Sequence, residues 1–415
     1  MTVIGKYITY FIFIFIDFYI HIKIFFREYF FYSPKINNIE FIKRVINIEG
    51  QNHKIYEFGD IKASDKNTLL LMGGIPTDPM DSMAWLANEI YLINKNLRVI
   101  ILNMPYYEKD FSIDVEDEYA VSNGRDLITD KIIDFSATKV DRKFSHENQG
   151  KKIKHFLEAL NINSCHLVGH DRGAVILEYF AINYPEKVLS YSRGSQVWNY
   201  YEPEWEALAP DICVGPPHSI MSTYHQIRIL LFAVIFLKKP LDLLSDTFDL
   251  NGKKALKGTH LYDRYTHVKY KSQISYKSYF YKFKQSLIQG GKHSEVDNRS
   301  KLFDTNFPIM QFQGEDEFKY NKSGTLISDQ PYFGKYNLFR NEIEDLYPGC
   351  VGQEFNKYQS QYVTEKNSYK EIQLKPNARF SKFCLIPDSA HFNVIENPKS
   401  CANAIVDFIE KINEI

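Results

Sequence analysis

The chain has 415 residues, which is enough to bury a full core in one large domain with insertions or in two smaller domains. A formal net charge of -1 provides no bulk attraction to nucleic acid or to acidic surfaces, so no nucleic-acid partner is expected. The 5 cysteines are widely spaced and include no CxxC pair, which argues against a disulfide framework or a zinc site and favours a reducing, cytoplasm-like compartment.

Residues 7–26 are the candidate membrane element, an aromatic and aliphatic run that is almost long enough to span a bilayer. Asp17, His21 and Lys23 interrupt the run, and a charge at bilayer depth costs about 3 kcal/mol. The run lacks a small-residue cleavage site, so a removed signal peptide is not expected. Two interpretations of residues 1–38 stay open: an anchor that attaches the protein to a membrane, or an apolar extension that packs on the folded domain.

Residues 39–198 alternate between strand and helix patterns. Two β-patterned runs flank Gly50, as in a hairpin at the edge of a sheet. Continuous apolar runs further along indicate buried parallel strands, and apolar residues spaced three or four apart indicate helices. The predicted elements are strands at 41–48, 54–58, 68–72, 97–104 and 188–198, and helices at 81–93 and 146–160. This alternation predicts an α/β fold with a mostly parallel, doubly wound sheet.

The alternation of strands and helices stops after residue 198. Residues 199–306 contain helical patterns and few strand signals, which predicts an inserted helical cap. The alternation resumes in residues 307–415, the second part of the core, which contains a polar insertion at 319–378. The predicted elements of this part are strands at 307–314 and 380–387 and a helix at 399–412.

The stretch 164–177 is the most informative part of the chain because it is typical of a strand, a sharp turn and a helix. Gly169, Gly173 and Ala174 flank Asp171 at the spacing of a nucleophile elbow, the G-x-S-x-G turn, with a carboxylate in place of the hydroxyl. Such a turn lifts its central side chain above the strand end and directs the N-terminus of the helix toward it. The alternative is a β-to-α connection in which Asp171 only caps the helix.

A second motif lies near the end of the chain, where Ser-Ala-His-Phe-Asn-Val-Ile-Glu-Asn-Pro occupies residues 389–398. With this motif and the elbow, residues 40–415 resemble the aspartate-nucleophile branch of the α/β-hydrolase superfamily, which contains epoxide hydrolases and haloalkane or haloacetate dehalogenases. The order of nucleophile, acid and base in that fold implies Asp171 as the nucleophile and His391 as the base. Since a side chain or a main-chain amide then fills every catalytic role, no metal or organic cofactor is expected, and the expected partner is a small hydrophobic substrate.

The acid of the triad is expected in the loop after Gly314. Gly314-Glu315-Asp316-Glu317 resembles the Gly-x-x-Asp loop of the family, which places Glu317 at the acid position, with Asp316 as the second choice. Either carboxylate would fix the tautomer of the histidine and stabilise its protonated form. In the alternative interpretation these residues are a solvated acidic loop, and the acid follows the preceding strand, near Asn199.

The oxyanion hole requires two main-chain N–H groups above the nucleophile. Gly73-Gly74-Ile75-Pro76 resembles the His-Gly-x-Pro loop of the family, with Gly73 in place of the histidine. By this match the donors are the N–H groups of Ile75 and Arg172. A plain Gly-Gly turn is the alternative interpretation.

An aspartate nucleophile limits the reaction class. Attack of a carboxylate on an ester carbonyl would form an anhydride, whereas attack on an electrophilic sp³ carbon forms an alkyl ester that activated water can cleave. Esterase, lipase and peptidase functions are therefore disfavoured. Opening of an epoxide or displacement of a halide remains.

The predicted cap contains the residues that distinguish these two reactions. Tyr224 and Tyr281 lie in stretches that resemble the cap tyrosine regions of epoxide hydrolases and are the candidate proton donors, although 29 tyrosines in the chain leave a chance match as the alternative. Gln226 stands where haloacetate dehalogenases have Trp, and Arg172 where haloalkane dehalogenases have Trp, so both favour an epoxide. Because Arg172 is shared with haloacetate dehalogenases, dehalogenation with His225 among the halide donors is the second hypothesis. A non-catalytic ligand-binding homologue is the third.

Overall fold

The structure, a computed structural model, describes segments of both predicted core parts. The described residues are 42–74, 79–103, 124–125, 132–133, 146–194, 301–315, 363–373, 381–389 and 392–414. The N-terminal segment 1–38, the predicted cap up to residue 300 and residues 319–362 of the insertion lie outside these ranges. The predicted anchor and the predicted helical cap, except for its last residues 301–306, therefore lie outside the described part.

A single large sheet of 10 strands organises the described part of the chain. The strands are β1 (Ile42–Ile48), β2 (Gln51–Phe58), β3 (Thr68–Met72), β4 (Arg98–Leu102), β7 (Cys165–His170), β8 (Val188–Gly194), β9 (Ile309–Gly314), β10 (Val363–Glu365), β11 (Lys370–Ile372) and β12 (Lys382–Ile386), in the order β1-β2-β4-β3-β7-β8-β9-β12-β11-β10; the short β5 (Gly124–Arg125) and β6 (Ile132–Ile133) pair separately. The central strands from β4 to β12 run parallel, and an antiparallel hairpin flanks them on each side.

The central strands are buried because helices cover both faces of the sheet. Every residue of β3, β4, β7, β9 and β12 is buried. Helices α1 (Pro79–Ile93), α4 (Asn393–Glu396) and α5 (Pro398–Asn413) share one apolar cluster with one face of the sheet, and α2 (His146–Ala159) and α3 (Arg172–Asn183) share another cluster with the opposite face. The predicted doubly wound α/β architecture is confirmed for these residues.

The predicted edge hairpin is present as β1 and β2. Its turn consists of Glu49 and Gly50, whose φ angles of 52° and 81° are both positive, as a tight two-residue hairpin turn requires. The turn is thus shorter than the sequence pattern indicated, since β2 begins at Gln51 and not at Lys54.

The hairpin of β10 and β11 was not among the predicted elements, and it lies inside the predicted polar insertion 319–378. It extends the core sheet, since β11 pairs antiparallel with β12. The Tyr369 hydroxyl donates to Asp407 Oδ2 of α5 at 2.8 Å, and Lys382 Nζ donates to the same hydroxyl at 2.9 Å. These bonds join the hairpin to the core. Its strands of 3 residues each are too short to produce a recognisable period in the sequence.

Three of the cysteines lie in the described ranges and are buried free thiols: Cys165, Cys384 and Cys401. Burial raises the pKa of Cys165 and of Cys384 to about 12. The prediction of free thiols is confirmed for these three. Separately, the described ranges contain no helix with the length and apolar character to cross a membrane; the candidate segment 7–26 is not part of them.

His166 is a buried neutral imidazole near the N-terminal end of β7, at the end of the strand opposite the elbow. Its Nε2 lies 3.0 Å from the carbonyl oxygen of Lys66, and its Nδ1 lies 2.7 Å from Ser190 Oγ. Because a carbonyl only accepts, Nε2 carries the proton and Nδ1 accepts from the serine hydroxyl. Burial lowers the pKa of His166 to about 4.

We expect His166 to make the stability pH-dependent. Its pKa is about 4 in the folded chain against 6.5 ordinarily, so between these values the unfolded state binds more protons and stability rises with pH. The His166 contribution should therefore be about 2 kcal/mol larger at pH 7 than at pH 5. Urea unfolding of the wild type and of His166→Gln at both pH values measures this. If the difference in unfolding free energy between the wild type and His166→Gln is the same at pH 5 and pH 7, His166 is not a buried neutral imidazole.

Candidate active site

The strand, turn and helix predicted around Asp171 are present as β7, Asp171 and α3. The Asp171 N–H donates to the Gly194 carbonyl at the end of β8 at 3.1 Å, and the Asp171 carbonyl accepts from the Ala174 N–H at 3.0 Å. The φ angle of Asp171 is 55°, in the left-handed region that side chains other than glycine occupy at a cost of about 1 kcal/mol. Such strained positions are frequent at functional sites.

Helix capping alone does not account for this conformation. A residue that caps a helix N-terminus usually has extended backbone angles, and an aspartate satisfies that role without strain. Asp171 instead has a left-handed backbone, and its side chain is only partly buried at the C-terminal edge of the parallel strands. This edge is where ligands bind in open α/β sheets.

Small residues around the elbow are required by main-chain contacts. A Cβ atom on Gly169 would lie 2.5 Å from Ala174 Cα, and a Cβ atom on Gly173 would lie 2.5 Å from the carbonyl oxygens of Met72 and Gly73. These distances are far below a van der Waals contact, so α3 can begin here only because both positions lack a side chain. The geometric reason for the elbow pattern is therefore present.

Gly74 brings the segment after β3 directly against the Asp171 side chain. A Cβ atom on Gly74 would lie 2.5 Å from Asp171 Cβ and 2.6 Å from its Cγ and Oδ1. The predicted oxyanion-hole segment thus begins in contact with the proposed nucleophile. The two predicted donors of the oxyanion hole are the main-chain N–H groups of Ile75 and Arg172. Ile75 lies outside the described residues, whereas Arg172 is the first residue of α3.

The N-terminus of α3 supplies positive potential at the elbow. The N–H groups of the first turn of a helix have no acceptor within the helix, and the helix dipole places partial positive charge there. Because Asp171 immediately precedes this turn, the helix dipole favours negative charge that develops on a group bound at the elbow.

The chain next to His391 approaches the elbow, although His391 itself lies outside the described residues. Phe392 packs against His170, the residue before Asp171, with 6.1 Å between the ring centroids and both side chains buried. This contact joins the residues adjacent to the proposed base and the proposed nucleophile.

Hydrogen bonds also fix the two ends of the loop that contains His391, at Ser389 and at Asn397. Ser389 Oγ donates to the Ile386 carbonyl at 2.8 Å, and Asn397 Nδ2 donates to the Pro387 carbonyl at 2.8 Å. The Asn397 side chain also accepts from the Ser400 N–H and so caps α5. One asparagine therefore fixes the helix start and the loop before it.

Glu315 is the one member of the acidic run after β9 that the structure describes. Its Oε1 lies 2.7 Å from Lys370 Nζ. Burial disfavours the charged form of Lys370, but the hydrogen bond to Glu315 and nearby carboxylates outweigh it and raise the pKa of Lys370. The acid candidates Asp316 and Glu317, the alternative acid position near Asn199 and the cap residues Tyr224, His225, Gln226 and Tyr281 all lie outside the described residues.

A buried polar network below the elbow is a feature that the sequence reasoning missed. Arg193 of β8 pairs with Glu178 of α3, both fully buried, and Arg193 Nη1 donates to Gln311 Oε1 at 3.0 Å. Gln311 Nε2 in turn donates to Gln313 Oε1 at 3.0 Å. The network links the elbow helix to β9, the strand before the acidic run. The signal available in the sequence was the presence of two opposite charges, Glu178 and Arg193, in segments predicted to be buried.

Metal-ligating residue types are not gathered into a site within the described ranges, where no group of three or more His, Cys, Asp and Glu residues is placed to hold an ion.

The comparisons with known proteins identify the fold. No protein-family model and no curated protein matches the sequence. Among solved structures, an ancestral protein described as a haloalkane dehalogenase is 12% identical with a TM-score of 0.52 over 90% of this chain and 100% of its own. An α/β hydrolase from a Medee basin deep-sea metagenome library is 13% identical with a TM-score of 0.52, over 88% and 97% of the two chains.

A protein from Pseudomonas aeruginosa described as an epoxide hydrolase is 10% identical, with a TM-score of 0.50 over 90% of this chain and 97% of its own. The matching structures also include a protein from Acinetobacter baumannii described as a lipase. The chain therefore has the α/β-hydrolase fold, with a mixed, mostly parallel sheet between helices. Identities this low establish the fold alone.

Substitutions at the two contact glycines should both destabilise the fold. Gly173→Ala presses a methyl group against two main-chain carbonyls, and Gly74→Ala presses one against Asp171 Cβ, an atom that rotation of the side chain cannot move. We expect a loss of unfolding free energy of about 3 kcal/mol for each variant. Urea unfolding measures both. Equal stability of Gly173→Ala and the wild type would contradict the described approach of α3 to β3.

Proposed function

We propose that this protein is a hydrolase that acts through an aspartyl alkyl-ester intermediate, with an epoxide as substrate and a diol as product. The observation that carries the proposal is Asp171, a partly exposed carboxylate held in a left-handed elbow against Gly74. Fold neighbours described as an epoxide hydrolase and as a haloalkane dehalogenase are compatible with it, but the fold is also that of a protein described as a lipase. The identity of the side chain, and not the fold, therefore supports the reaction class.

In the first half-reaction an Asp171 oxygen attacks an epoxide carbon. A carbon–oxygen ester bond forms, the epoxide carbon–oxygen bond breaks, and its electron pair stays on the leaving oxygen. Tyr224 or Tyr281 donates the proton that this oxygen requires. Because a carboxylate attacks sp³ carbon without forming an anhydride, this step suits aspartate better than attack on an ester carbonyl does.

In the second half-reaction water cleaves the ester. His391, oriented by Glu317, takes a proton from water while the water oxygen bonds to Asp171 Cγ. The N–H groups of Ile75 and Arg172 stabilise the resulting oxyanion. The ester bond then breaks, the departing alkoxide takes the proton from His391 as the diol leaves, and the new carboxyl returns its proton to the tyrosine.

Three features of the described residues support these roles. Gly74 places the segment that leads to Ile75 beside Asp171, α3 begins directly after Asp171, and Phe392 holds the chain next to His391 against His170. Together they concern the nucleophile, the oxyanion hole and the base. The assignment of Glu317 and of the tyrosines depends on the resemblance of their sequence stretches.

Displacement of a halide is the second candidate function because Arg172 follows the nucleophile, as in haloacetate dehalogenases. The discriminating measurement uses purified full-length protein with styrene oxide in one series and with fluoroacetate and chloroacetate in another. Diol formation without halide release supports the proposal, and halide release without diol formation supports dehalogenation. Binding of such ligands without turnover of either class would support a non-catalytic homologue.

We expect a single turnover in ¹⁸O-labelled water to place the label in the Asp171 carboxylate and not in the diol. The reason is that water attacks Asp171 Cγ and the diol keeps the original ester oxygen. Mass spectrometry of the peptide that contains Asp171 measures the incorporation. An active enzyme with an unlabelled Asp171 and a labelled diol would contradict the covalent step.

Variants of the two central residues should fail at different steps. Asp171→Ala should lower kcat/KM by about 10⁴-fold or more because no ester forms. His391→Gln should still form the ester but not hydrolyse it, so the intact protein gains the mass of one substrate molecule. Asp171→Ala is preferable to Asp171→Asn, since the amide can deamidate and restore the aspartate. If His391→Gln turns over like the wild type, His391 is not the base.

A further inference from the structure

We propose that Lys370, on the hairpin of β10 and β11, is a positioning residue that holds the acid loop of the active site through its ion pair with Glu315. The inference rests on the proposed function, since it concerns the loop that carries the proposed acid. It assigns a role to a hairpin that was not expected from the sequence and that adds two strands to the sheet beyond β12.

The ion pair crosses the end of the strand that leads to the proposed base. In the sheet, Lys370 of β11 pairs with Leu385 of β12, and Ile386 of β12 pairs with Gly314 of β9. Strands two positions apart are separated by about 10 Å, which the long side chains of lysine and glutamate span together. Lys370 Nζ reaches Glu315 Oε1 at 2.7 Å, so the pair passes over the end of β12.

The surroundings of Lys370 favour a charged and ordered ammonium group. The side chains of Lys370 and Glu315 are 24% and 15% exposed, so the ion pair is shielded from solvent more than a pair on an open surface would be. Glu365 Oε1 lies 3.8 Å from the same ammonium, and the charge of Asp388, in the loop after β12, also acts on it. The hairpin cation thus interacts with carboxylates of the loops after both β9 and β12.

The main chain around Lys370 is itself fixed to the core. The preceding residue, Tyr369, donates its hydroxyl to Asp407 of α5 and accepts from Lys382 of β12. Ser368 Oγ accepts from Asn403 Nδ2 of α5 at 2.6 Å. A lysine on a segment held in this way can fix the position of its partner, whereas a lysine on a loose loop would follow that partner.

Fixing Glu315 restricts the proposed acid because the two are close in the chain. Consecutive residues extend by at most about 3.6 Å, so Glu317 Cα lies within about 7 Å of Glu315 Cα. An acid orients its histidine only when the carboxylate is held within hydrogen-bond distance of the imidazole. Lys370 contacts neither substrate nor reacting atoms in this proposal, so it acts on catalysis through Glu315.

The experiment compares Lys370→Met, Lys370→Arg and Glu315→Gln with Lys366→Met. The last variant is the matched control, because Lys366 lies on the same hairpin and its 3.8 Å pair with Glu371 is remote in sequence from the acid loop. We expect Lys370→Met and Glu315→Gln to lower kcat by about tenfold with a smaller change in KM, since misplaced catalytic groups cost up to about 100-fold. Lys370→Arg should retain at least about half of the wild-type kcat, and Lys366→Met should match the wild type.

The second readout is the pKa of the His391 imidazole, measured by NMR titration of the substrate-free full-length protein with labelled histidine. Positioning predicts that Lys370→Met and Glu315→Gln both lower this pKa, because each lets the acid move away from the imidazole. A purely electrostatic effect predicts opposite shifts, because one variant removes a positive charge and the other a negative charge.

The readouts separate the inference from the proposed function. The titration requires no turnover, so a wild type that converts neither substrate class would contradict the proposed function and leave the titration to test the role of Lys370. Opposite shifts, or shifts in Lys370→Met no larger than those in Lys366→Met, would overturn the inference. Thermal unfolding of each variant verifies that the comparison concerns folded protein.

Discussion

The close approach of the segment after β3 to the elbow after β7 is the contact on which the site depends. Two parallel strands end side by side, and the chain leaving β3 passes so near the start of α3 that no side chain fits at Gly74 or Gly173. The left-handed conformation of Asp171 belongs to the same arrangement, since its N–H bonds to the end of β8. One set of contacts therefore determines where the carboxylate, the helix N-terminus and the segment leading to the proposed oxyanion hole lie.

Parallel pairing brings the ends of several strands to this edge. β7, β8, β9 and β12 are consecutive neighbours, so the loops that follow them leave the sheet at the same side. Residues far apart in the chain become neighbours there, as the contact between His170 and Phe392 illustrates. The β10 and β11 hairpin extends the sheet beyond β12 and returns Lys370 to the same edge, where it meets Glu315.

The predictable parts of this structure are those in which local sequence and burial agree. β3 was predicted to the residue because all of Thr68–Met72 is buried on both faces, and the elbow because its glycines meet main-chain atoms. The β10 and β11 hairpin was not predictable, since its strands of 3 residues form by pairing with each other and, through β11, with β12. The pairs of Glu178 with Arg193 and of Glu315 with Lys370 join residues of separate elements, so no local pattern contains them.

The buried pair of Arg193 and Glu178 adds a constraint that the apolar core cannot supply. Removing two charges from water is costly, and such a pair is retained only when its hydrogen bonds are met in one geometry. Here Arg193 also bonds to Gln311, and the Tyr191 hydroxyl donates to the Ala174 carbonyl at 2.8 Å. Apolar side chains would tolerate sliding of α3 along the sheet, whereas these bonds would break. The polar contacts therefore act together with the glycine contacts in fixing the register of the elbow helix on β8 and β9.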